Sequence, residues 1–491
     1  MKRLVVMGDA VLDRDVMGRT ERVAPDAPVP VLDVDLVRES PGGAGLAALL
    51  CAAPGVEVEL IAPIADDEPG RRLLSMLRAR MSVLPLPHVG GTRLKTRLRS
   101  AGQSLLRMDE GGPGAPDEPD LDAVAHALSR ADVVLVSDYG AGTTHHPGLR
   151  DLLTQAAARG TPVVWDPHPR GANPVPGVHV VTPNLAEAVR AAAELPGEHA
   201  TPEELAEALR VAWNARAVCL TAGAGGAFLA MPAREPMVAP APQINGGDPC
   251  GAGDRFAASV AISLAAGALV SEAVVTAVQH ASAWVGAGGA AAFREPADVH
   301  DGGQESAQIQ DQEHPVPSPQ ALLQAEPSDL PDASALIETM RARGGKIVAT
   351  GGCFDILHVG HIRCLADARK LGDALIVLLN SDDSVRRLKG PGRPVVNERE
   401  RARMLSALES VDAVIVFDED SPEAALDRIR PDIWVKGGDY GAAPLPEAGL
   451  VRSWGGRVLL LPYADGYSST TILERLAEPP LATDHSSATG R

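Results

Sequence analysis

Cysteine is scarce: five residues are scattered over 491, an odd number, so no disulfide framework is expected and a reducing cytoplasm fits best. Aromatic residues make up only 3% of the chain. Basic residues are in deficit, 45 Lys and Arg against 64 Asp and Glu, for a formal net charge of −19. Proteins whose main task is to hold a nucleic-acid backbone concentrate positive charge, so nucleic acid is not an expected partner. Small phosphorylated ligands need only a few local donors and stay open. No run of about 18 apolar residues occurs, so neither a spanning helix nor a membrane partner is predicted. At the start of the chain, Leu4-Val-Val-Met7 is cut short by Asp9, which reads as a first β-strand and not as a signal peptide. A P-loop of the form Gly-x4-Gly-Lys-Ser/Thr is also missing, which argues against a Walker-type NTPase.

What is present is alternation. Short apolar runs (Leu4–Met7, Val133–Val136, Val163–Trp165, Val178–Val181) alternate with longer stretches of helical period, the mark of βαβ units and a mostly parallel sheet. The pattern stops near Pro296. Residues 298–335 are rich in Gln, Pro, Glu, Asp and Ser and are expected to form a flexible linker, with too little apolar surface to offset ordering. The alternation then restarts, with strand candidates Lys346–Thr350, Leu375–Leu379, Val411–Phe417, Ile433–Val435 and Val458–Leu461. The expected fold is α/β in two domains, 1–297 and 336–478, followed by a disordered tail, 479–491.

In the first domain the informative stretch is Asp248-Pro-Cys-Gly-Ala-Gly-Asp254, at the start of a helical run. Gly251 and Gly253 let backbone N–H groups approach an anion where the helix dipole also favours negative charge. Asp254, in the first turn, is placed to take a proton from an attacking hydroxyl. An acidic N-cap of a purely structural helix has the same sequence. Four further segments accompany it: Pro41-Gly-Gly-Ala-Gly45, Gly8-Asp-Ala-Val-Leu-Asp13, Asn184-Leu-Ala-Glu187 and Thr221-Ala-Gly-Ala-Gly-Gly226. Asn184 and Glu187 lie one helical turn apart, which suits a water-bound Mg²⁺, and the two aspartates after the first strand are placed to hold sugar hydroxyls.

As a set, these segments resemble the ribokinase (PfkB-like) sugar kinases over roughly residues 1–296. Glu21–Val31, Lys95-Thr-Arg97 and Ser137-Asp-Tyr-Gly140 look like the branch that phosphorylates heptose 7-phosphates. The resemblance implies a ribokinase-like α/β domain with a small β lid, formed around Asp15–Asp35 and Arg93–Met108, through which subunits could pair. It implies Asp254 as the base and Gly251, Ala252 and Gly253 as the anion hole. ATP would be held at Thr221, Gly223 and Gly226, with Asn184 and Glu187 organising Mg²⁺. Asp13, Gly42 and Gly43 would contact the sugar. From charge alone, Lys95 and Arg97 are placed to hold its phosphate, although a solvated basic face has the same composition. Two positions depart from the family: Leu46 stands where Asn is usual, and His168 follows Asp166-Pro167 where Lys is common. A kinase of altered or lost specificity is the rival expectation these departures raise.

In the second domain, Gly351-Gly-Cys-Phe-Asp-Ile-Leu-His-Val-Gly-His361 spans a strand-to-helix turn at the carboxyl end of a parallel strand, where nucleotides bind. His358 and His361, three apart at a helix start, can face one point and stabilise charge on a triphosphate. With Cys353 and Cys364 they also suggest a zinc cage, but zinc sites favour close Cys pairs or ligands on separate elements. The Gly-x-Phe-Asp-x-Leu-His-x-Gly-His pattern is that of the cytidylyltransferase-like nucleotidyltransferases. Asn380-Ser-Asp382, Arg387-Leu-Lys-Gly390, Val435-Lys-Gly-Gly-Asp-Tyr440 and Ser468-Ser-Thr-Thr471 resemble the branch that adenylates heptose 1-phosphate. That resemblance implies a Rossmann-like nucleotidyltransferase fold, with His358, His361, Lys389 and Lys436 as catalytic groups. Gly351, Cys353, Phe354, Arg401, Gly437, Asp439, Ser469 and Thr470 would hold the nucleotide, and Asp355 would orient a histidine or sit near the sugar. Together the resemblances imply a bifunctional enzyme of ADP-heptose synthesis that uses ATP and Mg²⁺ in both domains. The phosphate on carbon 7 would be removed by a separate phosphatase.

Overall fold

A computed structural model describes residues 1–88, 90–101, 103–112, 114–197, 199–244, 246–293, 333–437 and 445–462. The expected tail and nearly all of the expected linker lie outside them. Residues 333–335, expected in the linker, instead open the helix Ala333–Ala342. The chain divides into two compact units, Met1–Gly302 and Gly303–Arg491.

In the first unit, β1 (Lys2–Gly8) leads into two long strands, β2 (Ala10–Val23) and β3 (Pro30–Gly43). Then come β4 (Val56–Pro63), β5 (Ser82–Leu86), β6 (Leu94–Ser100), β7 (Gln103–Glu110) and β8 (Val133–Ser137). The unit continues with β9 (Val163–Asp166), β10 (Val180–Val181), β11 (Val218–Thr221), β12 (Ala227–Ala230) and β13 (Met237–Ala239). The main sheet runs β13-β12-β11-β10-β9-β8-β1-β4-β5, parallel from β11 to β5 and antiparallel at β11-β12-β13. Pro85 is tolerated because β5 is an edge strand of this sheet. Strands β1, β8 and β9 are almost wholly buried, as near-continuous apolar runs in a sheet covered on both faces should be. Of the run Val178–Val181, only Val180 and Val181 join the ladder.

A second sheet, β3-β2-β6-β7, stands apart from the main one and matches the expected lid. Its register puts Val37, Val16, Leu98 and Leu106 in one row across all four strands. Asp13 pairs with Lys95 and Asp15 with Arg97 on the opposite face, because side chains alternate along a strand. One face of the lid therefore carries the Asp13, Asp15, Lys95 and Arg97 charges, and the other an apolar row flanked by the Arg14–Glu39 pair.

In the second unit, β14 (Ile347–Gly352), β15 (Ala374–Asn380), β16 (Ala413–Phe417), β17 (Ile433–Gly437) and β18 (Arg457–Leu461) follow in chain order. They form a parallel sheet in the order β16-β15-β14-β17-β18. The order reverses at β14, so the turn after β14 lies at the switch point where α/β sheets bind ligands.

The ends of β1 and β8 are joined by a buried carboxylate. Asp9, 1% exposed, accepts N–H bonds from Tyr139 and Ala141 (both 2.9 Å) and Thr143 (3.2 Å). Removing it strands three donors in a closed turn, and hydrogen bonds to a charged group are among the strong ones. Asp9→Ala should therefore destabilise the first unit by about 3 kcal/mol. This would appear as a lower urea midpoint for that unit, with the transition of the second unit unmoved.

Candidate active sites

The kinase-like site is built on the helix Ala252–Ala265. Gly251 is its N-cap at φ 78°, a left-handed conformation that favours glycine. Asp254, in the first turn, is 5% exposed. Beside it opens a cavity of about 670 Å³ lined by Thr221, Gly223, Gly226, Ala252, Gly253 and Phe256. Five of the expected nucleotide residues of this domain thus line one space, whereas Gly251, Asn184 and Glu187 are not among its lining. Asn184 joins the rim through a backbone bridge to Thr221. The Asn184 and Glu187 side chains form a reciprocal capping box: the Asn184 carboxamide accepts from the Glu187 N–H (3.0 Å), and the Glu187 carboxylate accepts from the Asn184 N–H (2.9 Å). Burial raises the Glu187 pKa. Asp166 lies deeper; burial and then the charges of Asp254 and Glu187 push its carboxyl well above the usual range. The charges of Asp254 and Glu187 thus fall together at Asp166, while the Asn184 and Glu187 side chains are committed to each other's backbone; among the described residues no group of three or more Asp, Glu, His or Cys side chains could hold a metal ion directly.

On the sugar side, Asp13 is 4% exposed and accepts from Arg97 at 3.3 Å, with the Lys95 ammonium 3.6 Å away. A Cβ on Gly42 would stand 2.3 Å from Asp13 Oδ2, so only glycine fits there. Lys95 and Arg97 both lie beside Asp13, so each already faces a carboxylate. Leu46 is buried, and a Cβ on Gly251 would meet its Cδ2 at 3.3 Å; it packs beneath the anion-hole turn. His168 Nδ1 accepts from the Arg170 N–H at 3.2 Å, and burial lowers the His168 pKa. The expectation that Asp9 holds sugar hydroxyls is corrected: its oxygens face backbone N–H groups inside the fold. Two residues of the site were not singled out by sequence reasoning. Asp166 carries only the signal of ending a strand, and Tyr139 only that of belonging to Ser137-Asp-Tyr-Gly140. The Tyr139 hydroxyl lies 2.8 and 2.7 Å from the two carboxylate oxygens of Asp254.

In the second unit the helix Val359–Arg369 starts at His358, its N-cap. The rings of His358 and His361 stack at 3.8 Å, and Phe354 lies 5.1 Å from His361. A cavity of about 150 Å³ is lined by Gly351, Cys353, Phe354, Asp355, His361, Lys389 and Gly437, among others. Burial, reinforced by His358 and Lys389, pushes His361 down to about 4; burial also lowers His358. Both rings are therefore neutral near pH 7 and act as hydrogen-bonding groups. Lys436 lies 3.6 Å from Glu447 and 5.2 Å from the Trp434 ring. Cys353 and Cys364 both line this cavity, with Cys364 Sγ packed where a Cβ on Gly437 would be 2.6 Å away; among the described residues no group of three or more His, Cys, Asp or Glu side chains could hold a metal ion.

Residues 1–297 match the family model for pfkB family carbohydrate kinases, and residues 349–475 the cytidylyltransferase-like model. A protein of Streptomyces coelicolor named "Bifunctional protein HldE" is 49% identical over 97% of this chain and 96% of its own. Proteins of the same name from Caulobacter vibrioides and Pectobacterium atrosepticum are 35% and 37% identical over 97% and 96% of this chain, and over 97% and 96% of their own. The chain belongs to the bifunctional HldE family. It is an enzyme with a carbohydrate kinase domain and a nucleotidyltransferase domain.

Two expectations for the transferase domain change. Arg401 is fully buried and donates to the carbonyls of Val396 (2.9 Å), Cys353 (2.6 Å) and Asn380 (2.8 Å) and to Asp382 (2.7 Å). It braces the nucleotide turn from beneath and does not meet phosphate. Asp355, 1% exposed, accepts from the Val395 N–H at 2.6 Å and pairs with Arg393 at 2.5 Å, so it holds the 393–396 loop and orients no histidine. Asp439, Ser469 and Thr470 lie outside the described residues. Among those residues, no helix is long and apolar enough to cross a membrane.

The histidines give a pH signature. His361 falls to about 4 in the fold, whereas a free histidine titrates near 6.5. Between those values the unfolded chain binds more protons, so stability rises with pH. The contribution is complete above about pH 6.5 and is lost as pH falls toward 4. His361→Asn should flatten the dependence of the second unit's urea midpoint over that window, while the first unit's stays as in the parent.

Proposed function

We propose that the chain performs two steps of ADP-heptose synthesis. The first unit phosphorylates D-glycero-D-manno-heptose 7-phosphate at carbon 1 with ATP. The second transfers the adenylyl group of ATP to heptose 1-phosphate, releasing pyrophosphate. The reading rests on one observation above all: each unit presents a glycine-bearing turn at a helix start, with Asp254 on one and the His358–His361 stack on the other.

In the kinase step the carbon-1 hydroxyl gives its proton to Asp254 as its oxygen attacks the γ-phosphorus, and ADP leaves. The N–H groups at Gly251–Gly253 accept the charge developing on the transferred phosphoryl group. Asp13, Gly42 and Gly43 seat the sugar, and Lys95 and Arg97 take its 7-phosphate. Mg²⁺, when held through Asn184 and Glu187, supplies charge neutralisation on the nucleotide phosphates. In the transferase step the sugar 1-phosphate oxygen attacks the α-phosphorus with no covalent enzyme intermediate. His358 and His361 donate to the phosphates, while Lys389 and Lys436 offset the charge on departing pyrophosphate. Neither site removes a phosphate from carbon 7, so a separate phosphatase must act between the two steps.

Pairing of two chains through the lid belongs to the same reading. The apolar row on the lid includes Val37 and Leu106, which are 50% and 53% exposed, and Met108 lies two residues along at 41%. A small sheet with a bare apolar face gains stability by covering it with a second copy.

The two activities should separate cleanly. Asp254→Asn should abolish ADP release with heptose 7-phosphate and leave pyrophosphate release with heptose 1-phosphate intact, and His358→Ala should do the reverse. A single variant that removed both activities would refute the assignment of separate sites. For the lid, Val37→Glu with Leu106→Glu should shift the sedimenting species from dimer to monomer; a parent chain that already sediments as a monomer would rule the pairing out.

A further inference from the structure

No step of the phosphoryl transfer requires a phenol, yet Tyr139 is held on the base with unusual care. Its hydroxyl sits within 2.8 Å of both Asp254 oxygens, facing the carboxylate head-on, the direction from which an attacking hydroxyl would deliver its proton. Its backbone is fixed: the N–H donates to Asp9 and the carbonyl accepts from Arg93 (3.5 Å). The next residue, Gly140, donates its N–H to Asp138 (2.7 Å), so the turn cannot drift. Only the side chain is left to move. On its other side the ring meets the sugar site: a Cβ on Gly43 would be 3.5 Å from Cδ2, and the Lys95 ammonium stands 6.0 Å from the ring centre. Burial and the Asp254 charge raise the phenol's pKa well above its usual value, so it remains a proton donor and cannot itself serve as a base.

We propose that Tyr139 is a sugar-responsive latch on the kinase base, whose hydroxyl covers Asp254 until the sugar, seating against the ring, displaces it. The proposal rests on the reading of Asp254 as that base. Its consequence is selectivity for sugar over water. In productive turnover the sugar O–H bond breaks and its proton passes to Asp254. The sugar oxygen bonds to the γ-phosphorus as the bond to the β,γ-bridging oxygen breaks, and ADP leaves with that electron pair. Water at the same point would undergo the same exchange and give inorganic phosphate. With the phenol in place and no sugar bound, water has no access to the base. Tyr139 is thus a positioning residue that couples ATP consumption to sugar.

The test uses the full chain with ATP and Mg²⁺. Tyr139→Phe keeps the ring and removes the hydroxyl. ADP release without sugar should rise about a hundredfold or more, within the roughly 10²–10⁴ range a general base contributes, and the yield of sugar phosphate per ADP should fall. Adding Asp254→Asn to that variant should return the release to the parent's background. Unchanged hydrolysis in Tyr139→Phe, or hydrolysis that survives loss of Asp254, overturns the latch. A second measurement needs no variant: a 1-deoxy analogue of heptose 7-phosphate, which lacks the attacking hydroxyl, should stimulate ATP hydrolysis by the parent enzyme. If the analogue competes with the sugar yet leaves hydrolysis unchanged, the latch is again overturned. Parent turnover of heptose 7-phosphate, run alongside, tests the substrate assignment separately from the role of Tyr139.

Discussion

The kinase domain depends on one buried anion. Asp9 lies at the end of β1, where its carboxylate gathers three N–H groups of the turn after β8. Its own backbone continues the link, its N–H donating to the Ser137 carbonyl and its carbonyl accepting from the Ala44 N–H. Strand, turn and sugar-side helix are thus joined through a single residue. Burying a charge is costly unless donors replace the lost water, and here three do. The result is a rigid frame with Tyr139 and Gly43 on one wall and Asp254 on the other.

The transferase domain meets the same need with the opposite charge. Arg401 is a buried cation that gathers the carbonyls of Cys353, Asn380 and Val396 from the ends of β14 and β15 and the loop before its helix. Asp355 complements it by collecting N–H groups from the 393–396 loop. In both domains the permanent charges deepest in the fold hold loops. On the proposed function, the groups left to meet phosphate are backbone N–H groups, imidazoles and lysines. This division follows from desolvation: a charge fully committed to backbone partners cannot also rearrange around a ligand, whereas a neutral imidazole can do so at little cost.

Much of this was legible in the sequence, for physical reasons. Periodicity located the parallel strands, because buried strands are continuous apolar runs, and glycines before helices marked both candidate sites. Gly251 and Gly42 illustrate why: one needs a positive φ and the other leaves room only for hydrogen beside Asp13. Less legible was which polar residues face inward. Asp9 and Asp13 sit in one short motif and look alike in sequence, yet one braces backbone and the other faces cations. Arg401 reads as a phosphate ligand until its four acceptors are seen. Such distinctions depend on contacts far apart in the chain, 130 residues in the case of Asp9 and Tyr139, and local pattern carries no trace of them.

A chain with a net charge of −19 binds substrates that are themselves highly anionic, and the geometry resolves the conflict. Beyond roughly 8 Å, mobile ions screen exposed charge at physiological ionic strength, so the overall balance matters less than the nearest few groups. At the lid, Lys95 and Arg97 face Asp13. A neutral sugar arriving there must compete with that carboxylate for both cations and brings no charge in return. A phosphate brings its own negative charge and shares the cations with Asp13 on better terms. On the proposed role of Lys95 and Arg97, the internal pairing discriminates against unphosphorylated sugars more than it weakens binding of phosphorylated ones. The acidic residue that appears to spoil a phosphate site is then part of what makes it selective.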